Sequence, residues 1–180
     1  MTRVVPASTP RLRFREIEPT DLGLIAEMMS NADVMRFYPK LFTRVDAAAW
    51  IQRQRARYAA DGHGLWIVEE LSSGALVGQV GLLMQTVEGF PAPRYPEIGY
   101  LLHRPFWKRG LATEAAIAVR AYAFDLMCYD EVISLIRPVN LPSQAVARRL
   151  GMTVRGRTAF HDLEHLVFGI SRASYESSAR

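Results

Sequence analysis

The 180-residue chain has a single cysteine, Cys128, which excludes a disulfide framework and suits a reducing compartment. No apolar stretch approaches the roughly 20 residues that a membrane-spanning helix needs. Residues 1–10 lack the apolar core of a secretory signal, so a cytoplasmic location without membrane attachment is expected. Lysine is nearly absent, being found only at Lys40 and Lys108, and arginine supplies almost all of the positive charge. Repeats, low-complexity tracts and Pro/Gly-rich linkers are missing too. Nothing divides the chain, and one domain over 11–176 with a flexible lead-in over 1–10 is the expectation. His161 and His165 lack the glutamate of a zinc motif, so no metal is expected.

Hydrophobic residues make up 49% of the chain and charged ones 22%, close to the averages for globular proteins. A chain of this length buries a sizeable core without staples. The net charge of +4 invites a nucleic-acid reading. The densest clusters, Arg53/Arg55/Arg57 and Arg148/Arg149, carry no interleaved aromatics of the base-stacking kind. They read as solvated helix faces or as a basic rim for an anionic cofactor or an acidic partner surface, and no nucleic acid is expected as a partner.

Hydrophobic periodicity gives the elements. Residues 11–15 alternate like a strand, and Thr20-Asp21 opens a helix with Leu22, Ile25, Met28 and Met29 on one face. Residues 31–42 read as irregular, because Pro39 interrupts them. Thr43-Arg44-Val45-Asp46 has the form of a capping box and starts a helix that ends near Gly62. Residues 65–71 and 75–83 form a hairpin, a proline-rich loop covers 85–96, and 97–102 is a further strand. A helix over 111–127, a strand over 132–136, a short helix over 142–150 and two strands near 152–155 and 163–171 complete the chain. The order β-α-α-β-β-β-α-β-α-β-β is that of an α/β (α+β) fold with a mixed sheet and helices on its faces.

The most informative segment joins strand 97–102 to the following helix through a basic turn containing Lys108, Arg109 and Gly110. Free N–H groups and the positive dipole end at a helix start favour phosphate, and a glycine lets the backbone approach it. On these grounds an anion could sit there, or the turn could be a plain β-α connection with two exposed cations. The spacing fits neither a Walker loop nor the three-glycine dinucleotide fingerprint.

The run Trp107-Lys108-Arg109-Gly110-Leu111-Ala112-Thr113-Glu114-Ala115 resembles the pyrophosphate motif of the GNAT N-acetyltransferases, and most closely the branch of ribosomal-protein N-terminal acetyltransferases. The similarity extends through Arg11–Arg15 with Thr20-Asp21-Leu22, through Val34–Pro39, and through Asn140-Leu141-Pro142-Ser143 with Arg149-Leu150-Gly151-Met152. It implies a single GNAT-like domain whose sheet splays at the fourth strand, with acetyl-CoA as the acetyl donor and an amine as the acceptor. It further implies that Leu101 and Leu102 bond the pantetheine arm through their backbones. Lys108, Arg109, Gly110, Leu111, Ala112 and Thr113 would cradle the pyrophosphate. Asn140 would bond the pantetheine or hold the splayed strand, and Ser143 would lie near the cofactor sulfur. The tyrosine that many GNAT enzymes place four residues before the Gly-hydrophobic pair is Ala147 here, so Ser143 is the candidate acid.

An amine attacks only when neutral, and α-amines have a pKa near 8, so a modest base suffices. Glu97, at the start of the splayed strand, is the candidate base. The leading expectation is acetylation of a protein or peptide α-amine. A small amine as acceptor, a non-catalytic acyl-CoA sensor, and a homodimer all remain open.

Overall fold

The computed structural model describes residues 4–178. Its elements are β1 (Leu12–Arg15), α1 (Leu22–Ser30), α2 (Ala32–Met35), α3 (Arg44–Ala60), β2 (Leu65–Glu70), β3 (Leu76–Gln85) and β4 (Tyr95–Leu102). There follow α4 (Leu111–Ala121), β5 (Glu131–Ile136), α5 (Leu141–Arg149), β6 (Thr153–Phe160), β7 (Leu163–Ser171) and α6 (Arg172–Ser178). Local chemistry accounts for several boundaries. The Thr43 hydroxyl accepts the Asp46 N–H at 3.1 Å while the Asp46 carboxylate accepts the Thr43 N–H at 2.9 Å, so the expected capping box starts α3.

Two helices were not anticipated. Residues 31–42 contain α2 because the Asn31 side-chain oxygen accepts the N–H groups of Asp33 and Val34, and Val34 and Met35 are buried. The tail adds α6, whose Tyr175 ring stacks on Phe124 at 4.6 Å. The long helix expected over 111–127 is α4 followed by a π-helical turn over Tyr122–Leu126. Strands β3 and β4 reach further than expected and shorten the proline-rich loop. Of the lead-in, residues 1–3 lie outside the described residues. Beyond them Pro6 is buried and Val5 packs on the core.

The seven described strands form one sheet in the order β1-β2-β3-β4-β5-β7-β6. Neighbours are antiparallel except β4 and β5, which run parallel and pair only at Glu97↔Ile133. This is the splay at the fourth strand. On one face Ile25, Met28 and Met29 of α1 and Ile51 of α3 bury against Ile67, Leu83 and Leu101. On the other, Leu111, Ala115 and Val119 of α4 and Val146 of α5 pack against Trp66, Val80, Ile98 and Leu102. Each fully buried large aliphatic side chain contributes about 1.5–3 kcal/mol. The two layers hold β4 firmly while its outer edge stays open.

Candidate active site

The site begins where β4 and β5 part. The His103 N–H donates to the Val77 carbonyl at 2.8 Å, so by alternation Leu101, Gly99 and Glu97 turn their backbone groups to β3. Ile98, Tyr100 and Leu102 therefore turn theirs to the β5 side. In a continued parallel ladder the Leu135 N–H would reach the Ile98 carbonyl. Instead it donates to the Glu97 carboxylate at 3.2 Å, and the Ser134 hydroxyl donates to the Ile98 carbonyl at 2.8 Å. Two side chains thus replace the missing rung, and the strands diverge beyond them. Leu101, expected to offer its backbone to this slot, offers it to β3. At Leu102 only the N–H is left, because the Trp107 indole N–H takes its carbonyl at 2.8 Å. Tyr100, which the sequence did not single out, presents its backbone to the open side.

Glu97 is 9% exposed, and its other oxygen accepts the Gln85 side-chain N–H at 2.7 Å. Burial pushes its carboxyl above the usual glutamate range, while the Gln85 and Leu135 donors and the Arg57 charge pull partly the other way. Tyr38 and Tyr100 lie within its electrostatic reach. Burial of the Tyr38 hydroxyl, with Glu97 nearby, pushes its pKa up to about 12, although the residue as a whole is 41% exposed.

The basic turn is built from left-handed residues, Lys108 at φ 59° and Gly110 at φ 77°. A non-glycine residue at Gly110 would be strained, which explains the glycine just before α4. The first helical bond runs from the Glu114 N–H to the Gly110 carbonyl, so the N–H groups of Leu111, Ala112 and Thr113 have no helical partner. Lys108 is exposed and makes no ion pair among the described residues. Arg109 differs: its guanidinium pairs with Glu70 and lies 5.4 Å over the Phe106 ring. Only its backbone and a screened charge face an anion.

Helix α5 closes the far side. The Asn140 side-chain oxygen accepts the Ser143 N–H at 3.2 Å and caps the helix, which leaves its amide N–H₂ as the group free for other partners. The Tyr100 hydroxyl donates to the Ser143 carbonyl at 2.8 Å. Burial holds that phenol well above its ordinary pKa and therefore protonated. Ser143 is partly exposed, and its hydroxyl lies within hydrogen-bonding reach of the Tyr100 phenol.

The acetyltransferase (GNAT) domain family matches residues 11–153, most of the chain. The chain belongs to the GNAT acetyltransferases. It is 32% identical over 145 residues to the uncharacterized protein YkkB of Bacillus subtilis (strain 168), a match covering 80% of this chain and 83% of that one. An acetyltransferase of Agrobacterium tumefaciens is 26% identical, with a TM-score of 0.79 over 94% of this chain and 96% of that one. Two structures with different acceptors in their names share the fold. One is aminoglycoside acetyltransferase AAC(6')-Ib in complex with coenzyme A (16% identity, TM-score 0.78, 94% of this chain and 99% of that one). The other is ribosomal-protein-S5-alanine acetyltransferase of Vibrio fischeri (16% identity, TM-score 0.72, 96% of this chain and 99% of that one).

Several residues of this GNAT acetyltransferase fall away from the site. Trp66 is core, edge-on to Tyr122 at 5.0 Å. Cys128 is exposed in a left-handed turn after α4. His63 is fully buried, with Nδ1 on the Leu82 carbonyl and Nε2 on the Tyr129 hydroxyl. Conversely, Arg57 on α3 read as part of a solvated cluster. It is half-buried beside Glu97, and its Nη1 is sealed from solvent without a hydrogen bond among the described residues. The spacing to the buried Gln54 and Tyr58 could have flagged it, since all three lie within about one helical turn.

Proposed function

We propose that this enzyme transfers an acetyl group from acetyl-CoA to the α-amine of a protein or peptide by direct attack in a ternary complex. The observation that carries the reading is the fork at β4 and β5, with the buried Glu97 carboxylate at its apex and the free N–H groups of α4 at its mouth. The residues fit the cofactor. The unpaired outer edge of β4 at Tyr100 and the Leu102 N–H suit a pantetheine amide arm, as an added strand would. The backbone of Lys108, Arg109, Gly110, Leu111, Ala112 and Thr113, with the Lys108 charge, suits a pyrophosphate. When bound, acetyl-CoA supplies a thioester carbonyl open to attack by a neutral amine. Glu97 takes the proton from the amine, directly or through one water. Backbone N–H groups at Tyr100 and Leu102 stabilise the developing oxyanion, an effect of about 3 kcal/mol in other acyl transfers. The Ser143 hydroxyl, beside the Tyr100 phenol, donates towards the leaving thiolate, held in place by the Tyr100 and Asn140 bonds to its backbone. Asn140, besides this cap, keeps an amide N–H₂ for the arm.

Charge on the acceptor side favours an α-amine over a polycation. Arg57 interacts with Glu97 and stands near Arg53 and Arg94, so a polyamine or amino sugar would meet repulsion there. Thiol release from acetyl-CoA against Ser- and Ala-starting peptides, polyamines and amino sugars tests the reading. Peptide-dependent release is expected. Release with a small amine alone would overturn the choice of acceptor, and none with any amine would leave a cofactor-binding sensor.

A further inference from the structure

The Lys108–Gly110 turn is locked from outside by a residue 98 positions away in sequence. Arg11, just before β1, lays its Nε on the Glu114 carboxylate at 2.6 Å and its Nη2 on the same oxygen at 2.5 Å. Its backbone N–H adds a bond to the other Glu114 oxygen at 3.1 Å, and the Thr9 hydroxyl donates to that same oxygen at 2.6 Å. The remaining arm, Nη1, donates to the Arg109 backbone carbonyl at 3.0 Å.

That peptide matters because a trans amide points its C=O and N–H in opposite directions. Holding the Arg109 carbonyl against the guanidinium on the β1 flank turns the Gly110 N–H to the other flank. Lys108 and Gly110 are both left-handed, a conformation in which the intervening peptides turn easily. A turned peptide would put a carbonyl oxygen where a phosphate oxygen belongs. Glu114 sits in the first turn of α4, and its carboxylate would oppose an anion there unless paired. Burial would raise the Glu114 carboxyl, but the Thr9 and Arg11 donors hold it below the ordinary range, so it stays charged and paired.

We propose that Arg11 is a positioning residue for the cofactor: its forked guanidinium ties Glu114 to the Arg109 carbonyl and so aims the Gly110 N–H at the pyrophosphate. This rests on the acetyl-CoA reading above. Lysine keeps the charge but cannot hold both partners at once. In calorimetry, Arg11→Lys should weaken CoA binding about tenfold, the loss of one hydrogen bond to a charged group. Pantetheine, which has no pyrophosphate, should bind as it does to the wild type. The Michaelis constant for acetyl-CoA should rise with turnover at saturation unchanged. Arg11→Met/Glu114→Gln, which removes both charges, should not restore affinity, whereas Thr9→Val should bind CoA normally. Unchanged CoA affinity in Arg11→Lys would overturn the proposal. So would an equal loss for pantetheine, which marks general damage, or recovery in the double variant, which marks a pure charge effect. A wild-type protein that bound no CoA would overturn the cofactor reading, and this proposal with it.

Discussion

Glu97 carries two loads on one carboxylate. It replaces a rung of the sheet through the Leu135 N–H, and it stands buried where an acceptor amine must lose a proton. The amide of Glu97→Gln can still accept the Leu135 N–H but cannot take a proton. Turnover should therefore fall by about 10²–10⁴-fold, with CoA affinity kept. A variant with wild-type turnover would remove Glu97 from the chemistry. The base acts only when ionised, and burial raises its pKa, so wild-type activity should fall on acidification at a higher pH than an exposed glutamate would give. A pH–rate profile of saturated enzyme checks this limb. Sequence pointed to Glu97 through its place at the head of the motif strand. Its partners were out of view, because Gln85 and Leu135 lie 12 and 38 positions away. Tyr100 escaped notice for a similar reason: between Gly99 and Leu101 it reads as one more strand aromatic, and only the packing of α5 gives its hydroxyl a partner.

Among the elements, those set by local chemistry were legible and those set by distant contacts were not. The Thr43 cap, the Gly110 turn and the apolar faces of α1 and α4 are written within a few residues of each other. The short helices α2 and α6 depend on tertiary burial of Val34 and Met35 and on the Tyr175–Phe124 stack, which no short window contains. The fork between β4 and β5 is of the second kind. Ser134→Ala would leave the Ile98 carbonyl without its hydroxyl partner, so it should lower stability by about 1–3 kcal/mol. For a chain of this length that is roughly 2–4 °C in Tm for each kcal/mol. Thermal unfolding monitored by circular dichroism checks it, and an unchanged Tm would mean that this bond is no substitute rung.

For the whole molecule, acid should act in two stages. His63 is buried, which lowers its pKa, so the native state resists taking its proton. Above pH 6.5 the imidazole is neutral in folded and unfolded chains alike, and it contributes no pH dependence. Below 6.5 the unfolded chain binds a proton that the fold refuses, so stability falls as the pH drops. At lower pH the carboxylates of Asp21, Glu69 and Glu114 follow. Burial opposes their charge, but arginine partners hold all three below the ordinary range. Their contribution is full above the unfolded pKa near 4 and is lost as the pH falls through the folded values. A plot of Tm against pH should show the upper stage in the wild type and a smaller one in His63→Gln, where His165, also lowered by burial, still contributes.

The central claim places acetyl-CoA in the fork, with its pyrophosphate on the turn before α4. Calorimetric titration of CoA into the wild type and Gly110→Asp tests it most directly. The variant strains a left-handed position and adds a negative charge at the phosphate site. Measurable binding to the wild type, lost in a folded Gly110→Asp, is the predicted result. Equal binding to both proteins would contradict the placement, and no binding to the wild type would contradict the claim itself.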